Sequence, residues 1–403
     1  MTTRFFIFFF LLTQLVSGQR DYPYKFSDQI FSDYKKDTTQ LRCDEAVWNL
    51  SYIGDYKQML LMRDTCLYFD PIRAKYHNKR TSNNSLSSGE SIYFSHFKPQ
   101  NAIDYITEKA KTEKIIIINE AHQQPMHRVF TESLLQILYD NGFRYFGLET
   151  LGYIDTLLNE RKYPVLSSGT YSVEPQYGNL IRRALKIGFY VFPYETRSYG
   201  DPNQREIDQA NNIKKILIKD STAKILIHCG FGHNIESYYS ASMEYVMAGR
   251  LKEYTGIDPL AINQVALTES SSPDFDNPYF KQINLDYDAV FVDSNGSAFC
   301  GDQWYKTVDM FVYHPRTKWM YGRPNWVFNN DKTPVPIVSK IKLKFPCLVF
   351  AYKDDEDINT AVPVDVIELK SENDDRYLSL YKGGYTIVVK NKQGKEQEIK
   401  IKN

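Results

Sequence analysis

The stretch Ile115–Thr150, IIIINEAHQQPMHRVFTESLLQILYDNGFRYFGLET, decides the predicted fold. It opens with four consecutive isoleucines, and a run without polar alternation is typical of a strand buried on both faces. Pro125 suits the first turn of a helix, and the apolar residues within Val129–Leu138 then recur on one helical face. Gly142 is a natural helix stop, and Phe143–Leu148 predicts the next strand. Strand, helix and strand in this order indicate a parallel β–α–β unit.

The same alternation continues along the chain to about residue 265. Further helices are predicted at Ala102–Lys111, Asn179–Lys186, Gln204–Lys219 and Ala241–Tyr254, and further strands at Phe189–Tyr194, Lys224–Ile227, Leu260–Val265 and Asp288–Val292. We therefore predict an α/β fold, with a mostly parallel sheet flanked by helices.

The regions on either side of this alternation have a different character. Residues 19–95 predict a helical and loop region, with one long helix over Asp44–Asp64. From residue 336 the apolar runs are short and β-like. They are Lys340–Phe345, Cys347–Tyr352 and Tyr385–Val389, with hairpin turns predicted at Gly383-Gly384 and Gln393-Gly394. The predicted organisation is a signal peptide (1–18), the helical region (19–95), the α/β domain (96–335) and a small C-terminal β domain or extension (336–403).

The first 18 residues have the pattern of a secretory signal. Arg4 supplies positive charge, Phe5–Leu12 supplies an apolar core, and small residues precede a cleavage point at Gln19. The apolar run is shorter than the roughly 20 residues that a spanning helix needs. We therefore expect a secreted or periplasmic protein with no transmembrane span after signal removal.

Charge and cysteine content exclude some classes of function. The chain has 403 residues with 49 basic and 49 acidic side chains, so it lacks the basic field that general nucleic-acid binding requires. There is no CxxC motif, which disfavours a structural zinc ribbon. Cys43 and Cys66 are the best candidates for a local disulfide, and Cys229, Cys300 and Cys347 are expected to be core thiols.

Acidic and imidazole side chains follow successive predicted strands. Ligands bind beyond the carboxyl ends of strands in an open parallel sheet, so these residues are expected to share one edge. They are Asn119, Glu120 and His122 after the first strand, then Glu149, Glu195 with Arg197, His228 with His233, and Asn263 with Gln264.

Two segments carry most of the predicted chemistry. In NEAHQQPMHR (119–128), Glu120 and His122 are placed in a loop where a carboxylate can fix the tautomer of a general base. In ILIHCGFGHNIE (225–236), two glycines allow a tight turn that directs His233 back across the sheet edge. His228 fits a buried structural role as well as a functional one, whereas His127 fits helix capping or packing better. Cys229, inside a buried strand, is expected to be inert packing.

Both segments resemble motifs of the superfamily that joins erythromycin esterase, the ChaN haem-uptake proteins and the Tiki proteases. There a strand ends in Gly-Glu, a His follows, and "GF" precedes a strand ending in Glu. Residues 205–212 (REIDQANN) and the glycine-flanked His233 resemble its second half. The resemblance covers residues 100–266, with a ChaN-like spacing of Glu120 and His122. It departs from the pattern at Asn119, where the family usually has Gly.

The resemblance implies a set of site residues. These are Glu120, His122, Glu149 and His233, supported by Arg128, Glu195, Arg205 and His228.

Three functional hypotheses follow from this set. The first is an exported hydrolase that acts on a small-molecule or peptide substrate, in which His122, oriented by Glu120 or Glu149, activates water against an ester, lactone or amide. A divalent metal such as zinc or manganese could assist it. The alternative is haem or ligand binding without turnover, with His122, His127 or His233 as axial ligands. A third is a degenerate site retained as a scaffold, an idea that the departure at Asn119 favours.

Overall fold

A computed structural model describes residues 23–37, 39–69, 85–196, 200–240, 243–301 and 306–403. The predicted signal segment and Arg197 lie outside these ranges.

Eight strands form the main sheet, in the spatial order β1-β7-β8-β6-β2-β5-β3-β4. In chain order they are β1 (Lys98–Asn101), β2 (Ile115–Glu120), β3 (Tyr145–Leu148), β4 (Tyr190–Pro193), β5 (Ile225–Gly230), β6 (Leu260–Leu267), β7 (Ala289–Val292) and β8 (Met310–Tyr313). Neighbours from β8 to β4 run parallel, whereas β7 pairs antiparallel with β8 and β1. The predicted α/β class, with a mostly parallel sheet flanked by helices, is confirmed.

Helices precede, connect and cover these strands. The described residues form α1 (Ser27–Lys36), α2 (Gln40–Tyr52), α3 (Tyr56–Phe69), α4 (Ser88–Ser95), α5 (Ala102–Ala110), α6 (Pro125–Asp140), α7 (Leu158–Arg161), α8 (Pro175–Ile187), α9 (Pro202–Lys219), α10 (Met247–Thr255) and α11 (Pro278–Lys281). None of the described helices is long and apolar enough to cross a bilayer.

The four isoleucines of β2 explain why the sheet is covered on both faces. Ile116 and Ile118 pack in a cluster that includes side chains of α5, α6 and α8. Ile115 and Ile117 point the other way, into a cluster with side chains of α9 and α10. Successive strand residues face opposite sides of a sheet, so an uninterrupted apolar run fits a strand between two helical layers.

β2 and β5 are longer than the sequence predicts, and this changes where the candidate residues lie. β2 continues through Asn119 and Glu120, and β5 continues through His228 to Gly230. Glu120 is paired with Gly230 in the parallel register. The predicted loop position of Glu120 is therefore wrong: it is the last residue of a buried strand, and its backbone is held by the sheet itself.

The predicted single helix over Asp44–Asp64 is wrong, because the chain breaks between α2 and α3. Gly54 has a φ of +67°, which an L side chain adopts only with strain, and a Cβ there would lie 2.9 Å from the Val366 carbonyl oxygen. The two helices form a hairpin joined by the predicted Cys43–Cys66 disulfide, with the Cα atoms 5.9 Å apart. The other three cysteines are buried, as expected.

The C-terminal part is β-rich, as the sequence predicts. Its strands are β9 (Trp319–Met320), β10 (Arg323–Pro324), β11 (Thr333–Val335), β12 (Cys347–Lys353), β13 (Asp365–Leu369), β14 (Leu378–Leu380), β15 (Gly384–Asn391) and β16 (Glu396–Lys402). β13, β12, β15 and β16 form an antiparallel sheet in that order, and the predicted turn at Gln393-Gly394 joins β15 to β16.

Two local predictions in this part are wrong. Lys340–Phe345 is not a strand, because Val338–Lys340 is a 3-10 turn and the next residues have no strand partner. The amide of Lys342 donates to the side chain of Gln397 instead. Gly383-Gly384 does not make a hairpin, because β14 pairs with β11 rather than with β15.

The C-terminal sheet does not stand apart from the rest of the molecule. One of its faces shares a hydrophobic cluster with α1, α2 and α3. The buried Arg182 on α8 donates to both carboxylate oxygens of Glu356 and to the Val362 carbonyl. These contacts hold α8, whose first turn borders the candidate site, against the C-terminal region.

Candidate functional site

The site forms where four adjacent strands end. β2, β5, β3 and β4 are neighbours in the sheet, so their carboxyl ends lie side by side. Glu120 ends β2, and Glu149 and Glu195 follow β3 and β4. His233 lies in the turn after β5. This is the edge at which parallel sheets bind ligands.

A buried arginine fixes the carboxylate of Glu120. Arg128, in the first turn of α6, donates from Nε to Oε2 at 2.7 Å and from Nη2 to Oε1 at 2.8 Å. Its Nη1 donates to Glu174 at 2.8 Å, and Nη2 also donates to the carbonyl oxygen of His122 at 2.5 Å. The guanidinium therefore joins two carboxylates and the loop that carries His122. All three charged side chains are almost completely buried.

The charges of this group are mutually dependent. Burial opposes ionisation of Glu120, but Arg128 and His122 outweigh it and hold the pKa of Glu120 well below its ordinary value. Burial likewise opposes the charge of Arg128, and the two carboxylates raise the pKa of the guanidinium. For Glu174, burial dominates and raises the pKa of the carboxyl despite the arginine.

His122 lies at the open side of this anchored carboxylate. Its Nδ1 lies 3.1 Å from Glu120 Oε1, and about 14% of its side chain is exposed. Since Glu120 is ionised and accepts, Nδ1 carries a proton, so in the neutral ring the lone pair lies on Nε2. Of the two orienting residues that the sequence offers, Glu120 is the one in contact with Nδ1. This is the arrangement that a histidine base requires.

Gly230 brings the two halves of the site together. A Cβ built on this residue would lie 2.6 Å from His122 Nε2 and 3.2 Å from Glu149 Oε2. The Gly230 amide also donates to Glu149 Oε2. The imidazole of His122 and the carboxylate of Glu149 therefore both lie close to the Gly230 Cα, in space that a side chain at this position would occupy.

Replacing Gly230 with alanine is expected to displace the His122 ring, because the new methyl group would occupy its place. A displacement of about 1 Å is enough to lower turnover about 10²-fold, and overpacking costs about 1–3 kcal/mol of stability. Turnover and thermal melting of the Gly230→Ala variant measure both effects.

The matched control for that variant is Gly232→Ala. There a Cβ would meet only Ile235, at an ordinary 3.4 Å. Equal turnover in the two alanine variants would contradict the close approach of His122 to Gly230.

Arg205 organises the second half of the site. From the first turn of α9 it donates through Nη2 to Glu149 Oε1 at 2.7 Å, and through Nε and Nη2 to the carboxylate of Glu195. Burial opposes ionisation of Glu149, but His233, His122 and Arg205 lower the pKa of its carboxyl. Unlike Arg128, Arg205 reaches the surface, since 28% of its side chain is exposed.

His233 completes this half. Its Nδ1 lies 3.0 Å from Oε2 of the buried Glu206, which also accepts the amide of Met247 at the start of α10. Its Nε2 lies 3.1 Å from Arg205 Nη1 and 3.6 Å from Glu149 Oε1. His122 and His233 thus lie on the same side of the sheet edge, each beside Glu149.

Two features of His233 oppose each other. Burial lowers its pKa, yet Glu149 and Glu206 outweigh that and raise it. The contact with Arg205, however, requires an unprotonated Nε2, because Arg205 can only donate. In the arrangement shown we favour the neutral ring with the proton on Nδ1. Nδ1 can then donate to Glu206, and Nε2 can accept from Arg205. Protonation at Nε2 would turn the ring's contact from Arg205 to Glu149.

The other histidines of the two segments, His127 and His228, are fully buried. His127 is fully buried, with Nδ1 accepting from the Ala121 amide and Nε2 contacting Thr268. Burial lowers the pKa of His228 to about 4, so it is neutral at physiological pH. Its Nδ1 faces Tyr177, and its Nε2 lies 3.8 Å from Glu120. Burial raises the pKa of Cys229 well above its ordinary value, which agrees with an inert thiol.

Asn119, which departs from the family pattern, has a structural task. Its Nδ2 donates to the Phe231 carbonyl at 2.6 Å, and its Oδ1 accepts from the Gln264 amide. The residue therefore ties the turn after β5 to β2 and β6. This removes the reason for treating Asn119 as a sign of a degenerate site. Gln264 is buried next to Asn119. The Oδ1 of Asn263 accepts the amides of Val265 and Ala266, where β6 is irregular.

Sequence reasoning missed several residues that contact the predicted ones. The missed acids are Glu174, directly before Pro175, and Glu206, directly after Arg205. A Glu-Pro pair before a helix was the available signal for Glu174. The missed aromatic residues are Trp48, Tyr171, Tyr177 and Phe231. Trp48, Tyr171 and Tyr177 come from segments distant in sequence, for which no local pattern gave a signal, whereas Phe231 lies within the glycine-rich segment 225–236 itself.

The donors present do not fit a metal ion. Glu120 and Glu149 already accept from guanidinium groups, and among the described residues no three His, Cys, Asp or Glu side chains are placed to hold one ion. For haem, two of the three predicted axial ligands are already engaged, and ligation through His122 stays a prediction. Both ring nitrogens of His127 have internal partners, and Nε2 of His233 faces Arg205.

Comparisons with known proteins add little to this geometry. No protein family profile matches the sequence, and no curated protein matches it. Solved structures that share part of the arrangement include the type III effector HopBA1, with 12% identity and a TM-score of 0.32, covering 42% of this chain and 86% of that one. Another, described as bacterial protein toxins, has 13% identity and a TM-score of 0.30, covering 58% of this chain and 52% of that one. At these values neither carries an argument about function, and the resemblance to the esterase, ChaN and Tiki superfamily stays a prediction.

Proposed function

We propose that this protein is an exported hydrolase in which His122 activates water against an ester, lactone or amide carbonyl. The observation that carries the proposal is the anchored pair of Glu120 and His122, with Nδ1 held by the carboxylate and Nε2 close to Gly230. Export is supported by the predicted signal segment and by the Cys43–Cys66 disulfide, since such bonds persist in oxidising compartments.

In the proposed reaction, His122 Nε2 removes a proton from water as its oxygen attacks the carbonyl carbon. Glu120 stabilises the resulting imidazolium through Nδ1–H, and Arg128 keeps Glu120 ionised and in place. Collapse of the tetrahedral intermediate breaks the bond to the leaving group, which takes the proton from Nε2. The overall balance is one water consumed, with an acid and an alcohol or amine released.

Arg205 is the proposed stabiliser of the oxyanion. A guanidinium has five N–H bonds. Nε, both hydrogens of Nη2 and one of Nη1 are engaged with Glu195, Glu149 and His233. Among the contacts of the described residues, the second Nη1–H of Arg205 remains available to a substrate. The side chain reaches the surface beside His233. Because Glu195, Glu149 and His233 hold the guanidinium in place, this N–H is preorganised to stabilise the negative charge that develops on the carbonyl oxygen during the reaction.

The experiment that tests the proposal is an activity screen of the mature protein. Its substrates are p-nitrophenyl esters, aliphatic lactones and short peptides, each with and without chelator. We expect hydrolysis of at least one carbonyl class, and the same rate with chelator, because the carboxylates are paired with arginines. A protein that binds these compounds without converting any of them would fit the ligand-binding alternative and reject the hydrolase. Activity that the chelator abolishes would favour the metal-assisted variant.

Replacing Arg205 with methionine is expected to lower kcat about 10²-fold, the effect of removing one oxyanion donor. Substrate binding should change little, because this interaction strengthens only as charge develops. Arg205→Lys is the matched control, since it keeps the charge but not the fork and should retain part of the activity. Comparing kcat and KM of both variants on the substrate found in the screen measures the effect, and unchanged kcat in Arg205→Met would exclude this role.

A further inference from the structure

Phe231 lies beside the site in a conformation that is unusual for its side chain. It has a φ of +40°, in the left-handed region, and its side chain is 47% exposed. Bulky residues rarely adopt this region, and strain of this kind concentrates at functional sites. The glycines on either side, Gly230 and Gly232, have no positive φ. The chain thus places phenylalanine, and not an adjacent glycine, at the strained position.

The strained conformation is held from β2. The Phe231 amide donates to the Glu120 carbonyl at 2.7 Å, and the Phe231 carbonyl accepts from Asn119 Nδ2 at 2.6 Å. Both polar groups of its backbone are therefore fixed by the two residues that end the neighbouring strand. Because these bonds hold the backbone, the ring's position relative to His122 is set by the sheet.

Phe231 is one of three aromatic residues around His122. Its ring meets the imidazole edge-on at a centroid distance of 5.0 Å, and Tyr171 lies at 4.3 Å in a tilted arrangement. Trp48 of α2 approaches edge-on at 6.3 Å, and it also lies 6.2 Å from Tyr171. Tyr171 is buried and Trp48 is partly buried, whereas Phe231 is exposed, so the Phe231 ring is the most open apolar surface of these three.

We infer that Phe231 is a specificity-determining residue that receives an apolar group of the substrate next to the carbonyl that His122 and water attack. The inference rests on the proposed hydrolase. It deepens that proposal by naming the substrate class: esters whose acyl part is an extended apolar chain. The polar requirements of the carbonyl are met by Arg205, so the charged and apolar groups of the site have separate tasks.

We assign the apolar part to the acyl side, whose chain length can be varied while the leaving group stays the same. The base and the proposed oxyanion donor both act at the carbonyl carbon, and Phe231 contacts the base directly. A ring in contact with the His122 imidazole borders the group bonded to that carbon. Burying methylene groups against it removes apolar surface from water, which favours longer chains.

The test compares the wild type with Phe231→Gly and Phe231→Tyr. Glycine removes the ring and relieves the positive φ, so this variant is expected to melt at the same temperature or higher. Tyrosine keeps the ring and serves as the matched control. The substrates are p-nitrophenyl acetate, butyrate and octanoate. We expect the wild type and Phe231→Tyr to prefer octanoate over acetate about 10-fold or more in kcat/KM. Phe231→Gly should lose this preference through KM.

A binding measurement separates this inference from the proposed function. Calorimetric titration of octanoate and of acetate into wild type and Phe231→Gly needs no turnover. If no ester is hydrolysed but octanoate binding depends on Phe231, the hydrolase fails and the apolar site stands. If esters are hydrolysed with a chain-length preference that Phe231→Gly leaves unchanged, or with none in the wild type, the inference is overturned and the hydrolase stands. A Phe231→Gly variant with a lower melting temperature and unaltered selectivity would make Phe231 a packing residue.

Discussion

Replacing His122 with alanine is expected to lower kcat/KM about 10³-fold while leaving the melting temperature almost unchanged. General acid–base catalysis by a positioned side chain contributes roughly 10²–10⁴ in rate, and the Glu120-anchored imidazole is the proposed base. Stability should persist because Arg128 still satisfies the Glu120 carboxylate from two nitrogens. The measurements are turnover on the ester found in the screen and thermal melting by circular dichroism.

The control for this variant is His96→Ala, which removes an exposed histidine next to α4. It should change neither activity nor stability. Added imidazole gives a further readout, because the deleted ring leaves space between Tyr171, Phe231 and Glu120. Partial recovery of turnover with imidazole in His122→Ala alone would support a chemical role. Unfolding of His122→Ala would instead identify a packing residue, and unchanged turnover would mean that another group activates water.

Periodicity and strand ends predict much of this site from sequence. Ile115–Ile118 identifies a strand covered on both faces, and parallel strands bring their carboxyl ends together. That reasoning is sufficient to place Glu120, Glu149 and Glu195 at one edge, where the structure has them. It requires no knowledge of which strands are neighbours.

Which charged residues pair, and how far each strand extends, depend on tertiary contacts that the sequence does not show. Apolar runs mark the hydrophobic part of a strand, but β2 and β5 continue into polar residues because the register pairs Glu120 with Gly230. The bond of Arg128 to Glu174 joins α6 to a loop 46 residues later. Phe231 reads as part of a glycine-rich turn, and only its φ and its contacts with β2 separate it from an ordinary loop residue.

The break at Gly54 illustrates the same limit in the fold. Helical periodicity continues across it in the sequence, and the predicted single helix is reasonable on local grounds. The close approach of Gly54 to Val366, more than 300 residues away, is what requires a residue without a side chain. Such a constraint belongs to tertiary packing and has no local signature.

Replacing Arg128 with methionine is expected to cause the largest loss of stability, about 3–5 kcal/mol at neutral pH. The guanidinium is fully buried between Glu120 and Glu174, and methionine leaves both carboxylates without their cation. Burial then raises the pKa of both carboxyls, as it already does for Glu174 in the presence of the arginine. Chemical denaturation of the variant and wild type at pH 7 measures the difference. Arg205→Met, whose side chain is partly exposed, is the control and should cost clearly less.

The pH dependence of this loss distinguishes an unpaired charge from a packing defect. In the wild type the depressed pKa of Glu120 contributes stability above the ordinary value of 4.5, and this contribution is lost as pH falls below it. In Arg128→Met the sign reverses, because carboxyls with raised pKa bind more protons when folded than when unfolded. The stability of the variant relative to the wild type should therefore improve as pH falls from 7 toward 4.5. Glu120→Gln and Glu174→Gln, added together to Arg128→Met, should recover part of the loss at pH 7 and reduce its pH dependence, since both charges are then gone. A deficit that stays constant with pH, and that these two substitutions deepen, would mean that Arg128 acts by filling space rather than by charge.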